Sequence, residues 1–183
     1  MLYRIKYYLK NRLKPNKLIW LLIIFVLMFK TSRAQEFDSK LQIVFIYQAT
    51  HYFQWPDDDK ETFTIGVIGK SALSEELHKL AAVKKIKNKT IIIKQFDSAS
   101  SITDCNILFI PYKESLKIDN IKKAINGKHT LLISEKPGMA EKGTCINFVS
   151  IDGMMKFELN QSSYKSSGLR ASSKIEKISV VII

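Results

Sequence analysis

The sequence predicts an α/β sandwich: a mainly parallel central sheet, an antiparallel C-terminal hairpin and a closing helix. Three observations carry that prediction. Helical and strand-like patterns alternate along the chain, and parallel strands need crossovers of this kind. The runs TIIIK (90–94) and ILFI (107–110) are continuously apolar, as expected of strands covered on both faces. Asp152-Gly153 lies between two alternating segments, 146–151 and 154–159, and supplies the positive φ that a two-residue hairpin turn requires.

A chain of 183 residues has room for one domain and a leader. Residues 1–34 read as an export signal and 35–183 as the domain. The leader carries eight of the 29 basic residues (Arg4, Lys6, Lys10, Arg12, Lys14, Lys17, Lys30, Arg33) and no acid. The rest of the chain therefore keeps 21 bases against 17 acids, a formal charge of +4 rather than +12. So mild an excess, with interspersed signs, gives no case for nucleic acid. Residues 18–29 (LIWLLIIFVLMF) form an apolar segment that rises ~18 Å as a helix, short of the ~30 Å hydrocarbon core. Ser32-Arg33-Ala34 then places small residues at −3 and −1 of a cleavage site before Gln35. Export to the periplasm, with cleavage after Ala34, is the expectation, and an uncleaved anchor is the alternative. The membrane is then met only through this segment.

The domain opens with a helix capped by Asp38 or Ser39 and stopped by Pro56, with Leu41, Val44, Phe45, Gln48 and Tyr52 as its apolar face. Ile43, Ile46 and Tyr47 widen that face, so the helix should be buried on more than one side or meet a partner. Asp57-Asp58-Asp59 reads as a solvated loop. Residues 63–68 form the first strand. Ser74, Glu75 and Glu76 open a helix with Leu73, Leu77, Leu80 and Ala81 on its apolar face. A basic turn (84–89), the TIIIK strand, a short turn near 98–103 and the ILFI strand stopped by Pro111 follow. A helix bearing Leu116, Ile118, Ile121 and Ile125 ends at Gly127. After the strand 130–134 comes a loop, 137–143, and then the hairpin. Asn160 is a good N-cap, Gly168 breaks the pattern, and Ser173 with Glu176 has capping-box spacing. Ile175, Ile178, Val181 and Ile182 have helical spacing and should close the core.

Little in this chain carries chemistry. Gly69-Lys70-Ser71 lacks the upstream glycine of a phosphate loop, although the helix start there suits a small anion. His51, His78 and His129 have no second ligand at a metal-binding interval. No Gly-x-Ser-x-Gly elbow is present. The serines between 162 and 173 fall where caps are needed. No enzyme, metal or cofactor is expected. Cys105 and Cys145 each precede an apolar strand; either one disulfide on neighbouring strands or two buried thiols fits. What remains is surface. Tyr47, Tyr52, Phe53 and Trp55 cluster at the end of the first helix, as a binding hot spot or as core or dimer seam. Arg170 can fork onto a carboxylate of a partner or ligand, form a local bridge or stand as a solvated charge.

The run 143–175, with Asn160, Gly168-Leu169 and Ser173, resembles the closing segment of the YfiR family. Phe45-Ile46-Tyr47 with Trp55-Pro56 resembles that family's first helix and its exit. FTIGVIG (63–69), with Gly69, CNILFI (105–110) and LISEKPG (132–138) match its strands in order. The resemblance runs from about Leu41 to the end. It implies a periplasmic, non-enzymatic repressor that tends to dimerise and holds a membrane-bound diguanylate cyclase inactive, lowering cyclic-di-GMP signalling and biofilm formation. The partner would be such a cyclase or a sensor kinase. In that family a cysteine at the CNILFI position can be bridged to one in the strand reading FTIGVIG; here that strand has Gly66 instead. A second hypothesis is a periplasmic small-solute-binding sensor, using the crevice at the strand ends near Gly69 and Pro111.

Overall fold

The structure is a computed structural model that describes residues 38–56 and 59–182. The segment 1–34 expected to direct export, and Asp57 and Asp58 of the acidic loop, lie outside the described residues. Helix α1 (Ser39–Tyr52) starts where Asp38 Oδ1 accepts from Lys40 N (2.9 Å). Strands β1 (Phe53–Gln54) and β2 (Thr62–Ile68), helix α2 (Leu73–Val83), and strands β3 (Lys85–Ile86), β4 (Lys89–Phe96) and β5 (Ile107–Ile110) follow. Helix α3 (Ile118–Ala124), strand β6 (Leu131–Ser134) and the hairpin β7 (Ile146–Ile151) and β8 (Met154–Leu159) come next. The chain closes with α4 (Gln161–Ser166), β9 (Arg170–Ala171), α5 (Ser173–Ile178) and β10 (Val181–Ile182).

The main sheet runs in the order β10-β8-β7-β6-β5-β2-β4-β3. Strands β4, β2, β5, β6 and β7 are mutually parallel, as the apolar runs require. β7 and β8 form the antiparallel hairpin, with Asp152 (φ 52°) and Gly153 (φ 75°) both left-handed in the turn. β5 and β6 are buried at every residue, and α1 packs over the sheet through Phe45, whose ring meets Phe148 (5.2 Å) and Phe157 (4.4 Å). An α/β fold with a mostly parallel sheet, a hairpin and a closing helix is what the alternating pattern predicts.

Several local expectations are corrected. The buried side of α1 is Gln42, Ile43, Ile46, Ala49 and Thr50, while Leu41 is 54% and Val44 58% exposed. Polar residues tolerate that burial because Gln42 Nε2 donates to Glu135 Oε2 (2.7 Å) and the Thr50 hydroxyl to Tyr47 O (2.6 Å). Ser74 lies inside α2; it is Ser71 Oγ that accepts from Leu73 N (3.2 Å) at the helix start. The basic turn is a β3–β4 hairpin with Lys87 (φ 49°) and Asn88 (φ 66°) at its tip. A 3-10 turn over Tyr112–Lys117 precedes α3 and leaves Leu116 81% exposed.

The C-terminal tail differs most. Ser172, not Ser173, is the N-cap of α5, and no capping box forms. With the helix starting one residue early, Ile175 takes the box position and Glu176 is free to accept from the Tyr164 hydroxyl (3.0 Å) and Gln161 Nε2 (3.1 Å) of α4. The helix stops at Ile178, which is exposed, and Val181–Ile182 join the sheet beside Glu158–Leu159. A β-branched run continues a sheet better than a helix. The hairpin is therefore not the last strand pair at that edge.

Cys105 and Cys145 are both buried free thiols. They precede β5 and β7, and β6 lies between, so the strands are not neighbours. Burial pushes both thiols up to about 11, which keeps them protonated at neutral pH. A Cβ at Gly66 would lie 3.3 Å from Cys105 Sγ but only 2.6 Å from the Phe96 ring. Where the resemblance places a bridge, this chain places an aromatic side chain.

Candidate functional site at the N-terminal edge of the sheet

Helix α1 ends at Tyr52, ahead of Pro56 rather than at it, and the two residues before Trp55 form β1, which pairs antiparallel with β9: Phe53 with Ala171 and Gln54 with Arg170. Ser172 N donates to Tyr52 O (2.9 Å) and extends that seam. The aromatic cluster and Arg170, far apart in sequence, are thus brought together. Their exposures differ. Phe53 is fully buried, edge-on to Tyr164 (5.5 Å), and belongs to the core. Tyr47, Tyr52 and Trp55 are half-buried, and Arg170 and Gln54 are exposed. Among the described residues Arg170 has no carboxylate partner, so the local bridge weighed for it is not formed.

Trp55 is held from three sides. Its ring stands edge-on to Phe63 (5.0 Å), its Nε1–H donates to Asn106 O (3.0 Å), and Lys87 Nζ sits 5.8 Å above it. Lys87 Nζ also donates to Phe53 O (3.3 Å). Tyr47 reaches the same hairpin, its hydroxyl donating to Lys85 O (3.4 Å). Asn106 is the pin beneath: its Oδ1 accepts from Thr64 N (2.8 Å), and its backbone is bonded to Thr64 and Leu131. Nothing in the reading of the sequence singled out Asn106; a polar residue opening an all-apolar strand was the available signal.

The remaining motif residues hold the next turn of chain. Asn160 caps α4 by accepting from Ser163 N (2.8 Å), and its amide donates to Ala140 O (2.8 Å). Gly168 (φ 71°) must be glycine twice over, because a Cβ would also stand 2.7 Å from His129 Nδ1. That nitrogen bonds Ser167 O (2.9 Å), a role its position at a strand opening did not reveal. Leu169 is buried, and Ser173 sits exposed in the first turn of α5.

Two cavities flank the Gly127–Lys128 turn on this edge. One of about 370 Å³ is lined by Trp55, Pro56, Lys60, Asp104, Lys128 and His129, among others. The other, about 380 Å³, is lined by Lys122, Gly143, Cys145 and the serines of α4. At the switch point between β2 and β5, Gly69 (φ 68°) takes the side chain of Glu114 against its Cα, where a Cβ would meet Glu114 Cγ at 2.8 Å. Lys117 Nζ donates to that carboxylate (2.8 Å). The crevice expected near Gly69 and Pro111 is filled by this pair.

The family profile described as YfiR/HmsC-like matches residues 39–179, which is most of the chain. The chain belongs to the YfiR/HmsC-like family. Membership fits a periplasmic, regulatory reading better than a catalytic one. No curated protein matches. Among solved structures, the chain is similar to the ABC domain in complex with L-Trp from Streptococcus pneumonia. The identity is 12% and the TM-score 0.50, over 66% of this chain and 55% of that one. The chain thus spans about half the length of that protein, and the likeness concerns the fold alone. No helix among the described residues is long and apolar enough to cross a membrane. No group of three or more His, Cys, Asp or Glu suited to a metal ion occurs among them.

Proposed function

We propose that this chain is an exported, non-enzymatic regulator that acts by contact in the periplasm. Its surface around Trp55 and Arg170 binds the extracytoplasmic part of a membrane-bound signalling protein, a diguanylate cyclase or a sensor kinase. Binding one of two states biases that protein toward inactivity and lowers cyclic-di-GMP output and biofilm formation. The supporting observation is the β1–β9 seam, which sets an unpaired, exposed Arg170 beside half-buried aromatics held rigidly from beneath. Rigid aromatics and an arginine fork are the residues from which contact hot spots are built. Family membership supports this compartment and a regulatory role, and a dimer of the chain is part of the same proposal. The test is crosslinking of the full-length chain in its native cells, wild type against Arg170→Glu. Recovery of a membrane protein with a cytoplasmic cyclase or kinase domain, lost in the variant, supports the reading. Recovery of copies of the chain alone, in signal-on and signal-off conditions, sinks it.

A second reading is favoured by the cavity beside Trp55. At about 370 Å³ it suits a small solute, with Lys60, Lys128 and His129 on its wall. A solute sensor would then work from the N-terminal edge rather than from the Gly69 crevice. Thermal shift with amino acids and small carboxylates separates the two readings, because a ligand of the native state raises Tm by mass action.

A further inference from the structure

The outer edge of β4 carries a row of hydrogen-bonding groups that no strand among the described residues uses. Ile86 pairs with Lys89 across the two-residue turn, and in such a turn the flanking residues exchange both backbone bonds. Lys89 therefore faces β3. Alternation turns Thr90 toward β2, where its N–H donates to Glu61 O (2.9 Å). It turns Ile91, Ile93 and Gln95 outward, and it returns Phe96 inward, where its carbonyl accepts from Gly69 N (2.8 Å). The pairing with β2 is unbroken from Thr90 to Phe96, so no bulge resets this order. β3 reaches only as far as Thr90. Beyond it, the N–H and C=O groups of Ile91, Ile93 and Gln95 stand in ladder register over ~13 Å.

The surroundings of that edge say what fits it. Lys85 and Lys94 are exposed, and neither has a carboxylate partner among the described residues. Along that edge Ile92 is 37% exposed on one face of the sheet, and Ile93 is half-buried on the other. We propose that this edge receives an added strand from another protein: an extended segment in which acidic residues alternate with β-branched ones. The main chain supplies the ladder, and the lysines select the charge. A second copy of the chain fits poorly, because it would set the same lysines against these. Edge lysines are also a common protection against self-pairing. The inference uses no residue of β1 or β9 and stands apart from the function proposed above.

The test selects random twelve-residue peptides, displayed on phage, against the full chain, with Gln95→Pro as counter-target. Proline there removes an outward N–H that the domain's own ladder does not use. Selected peptides should be rich in Asp and Glu alternating with Val, Ile or Thr. Gln95→Pro should weaken them at least tenfold, and so should Lys94→Glu, which keeps the test valid if proline disturbs folding. Bound peptide should slow amide exchange at Ile91, Ile93 and Gln95 at least tenfold. Arg170→Glu should leave all of this unchanged, so that failure here and failure of the regulatory contact are read separately. Peptides that bind both edge variants as well as wild type, or that leave those amides exchanging freely, overturn the proposal. Concentration-dependent protection of the same amides in the chain alone, with a doubled mass, also overturns it in favour of a second copy.

Discussion

The two ends of the parallel strands are built differently. Folds of this topology hold ligands where the strand order reverses, at the C-terminal ends of the strands. Here that place, between β2 and β5, is filled by Glu114 lying against Gly69 and paired with Lys117. Glu135 seals the neighbouring strand end, accepting from Tyr112 N (2.9 Å) with one oxygen and from Gln42 with the other. At the N-terminal end, Trp55, Pro56, Asn106, His129 and Gly168 meet, two cavities open, and an unpaired arginine stands beside them. Shared topology therefore does not carry over the same surroundings at a strand edge; the side chains at each edge decide those.

Breaking the N-terminal edge should cost most. Trp55→Ala removes ring packing on Phe63 and Phe53 together with the bond to Asn106 O. The expected loss is about 3 kcal/mol in urea unfolding. Trp55→Phe should lose about 1 kcal/mol, the share of the hydrogen bond. Gly168→Ala should cost about 2 kcal/mol, because a side chain must enter the left-handed region and meet His129. Adding His129→Ala should return part of that loss, a non-additivity that a double-mutant cycle measures directly. Additive single losses would show that the two residues do not press on each other.

At the other edge the expected effects are smaller. Glu114→Ala removes a partly exposed ion pair and should cost less than about 1 kcal/mol. It should also open the space at Gly69 to solvent, with faster exchange of the Gly69 amide, bonded to Phe96 O, as the readout. A loss as large as that of Trp55→Ala would mean that the Glu114–Lys117 pair supports the fold rather than merely filling the crevice.

The sheet was legible because its signals are local: β-branched runs, a two-residue turn, and glycines and prolines that end elements. Regular features such as the Asp38 and Asn160 caps were equally visible. The inward face of α1 was not, because Gln42 and Thr50 are buried only by virtue of partners on other segments or an earlier turn. Nor was the end of α5. The spacing of Ile175, Ile178, Val181 and Ile182 suits a helix, and only the proximity of β8 draws the last residues into the sheet. The site shows the same division. Trp55 and Arg170 were nameable as residue types suited to contact. Their union through β1 and β9, and the roles of Asn106 and His129 beneath them, are tertiary facts with no local signature.

The smallest effect expected concerns the two thiols, which sit on the walls of the two cavities at the N-terminal edge. Burial raises both to about 11 from an ordinary value near 9. A group held neutral in this way adds no pH dependence below its unfolded value. Between pH 9 and 11 the unfolded chain gives up protons that the folded chain keeps, so stability should fall as pH rises through that window. Tyr164, pushed up to about 12 by burial and by Glu176, should extend the decline above pH 10. Replacing both cysteines by serine should flatten the first part of the slope, and Tyr164→Phe the second. Aromatic disulfide reagents at pH 8 should label the folded thiols slowly, at the rate of local opening, and the unfolded ones at once. Rapid labelling of Cys105 alone would show that the cavity beside Trp55 admits a molecule of that size, and would favour the solute-binding reading of this edge.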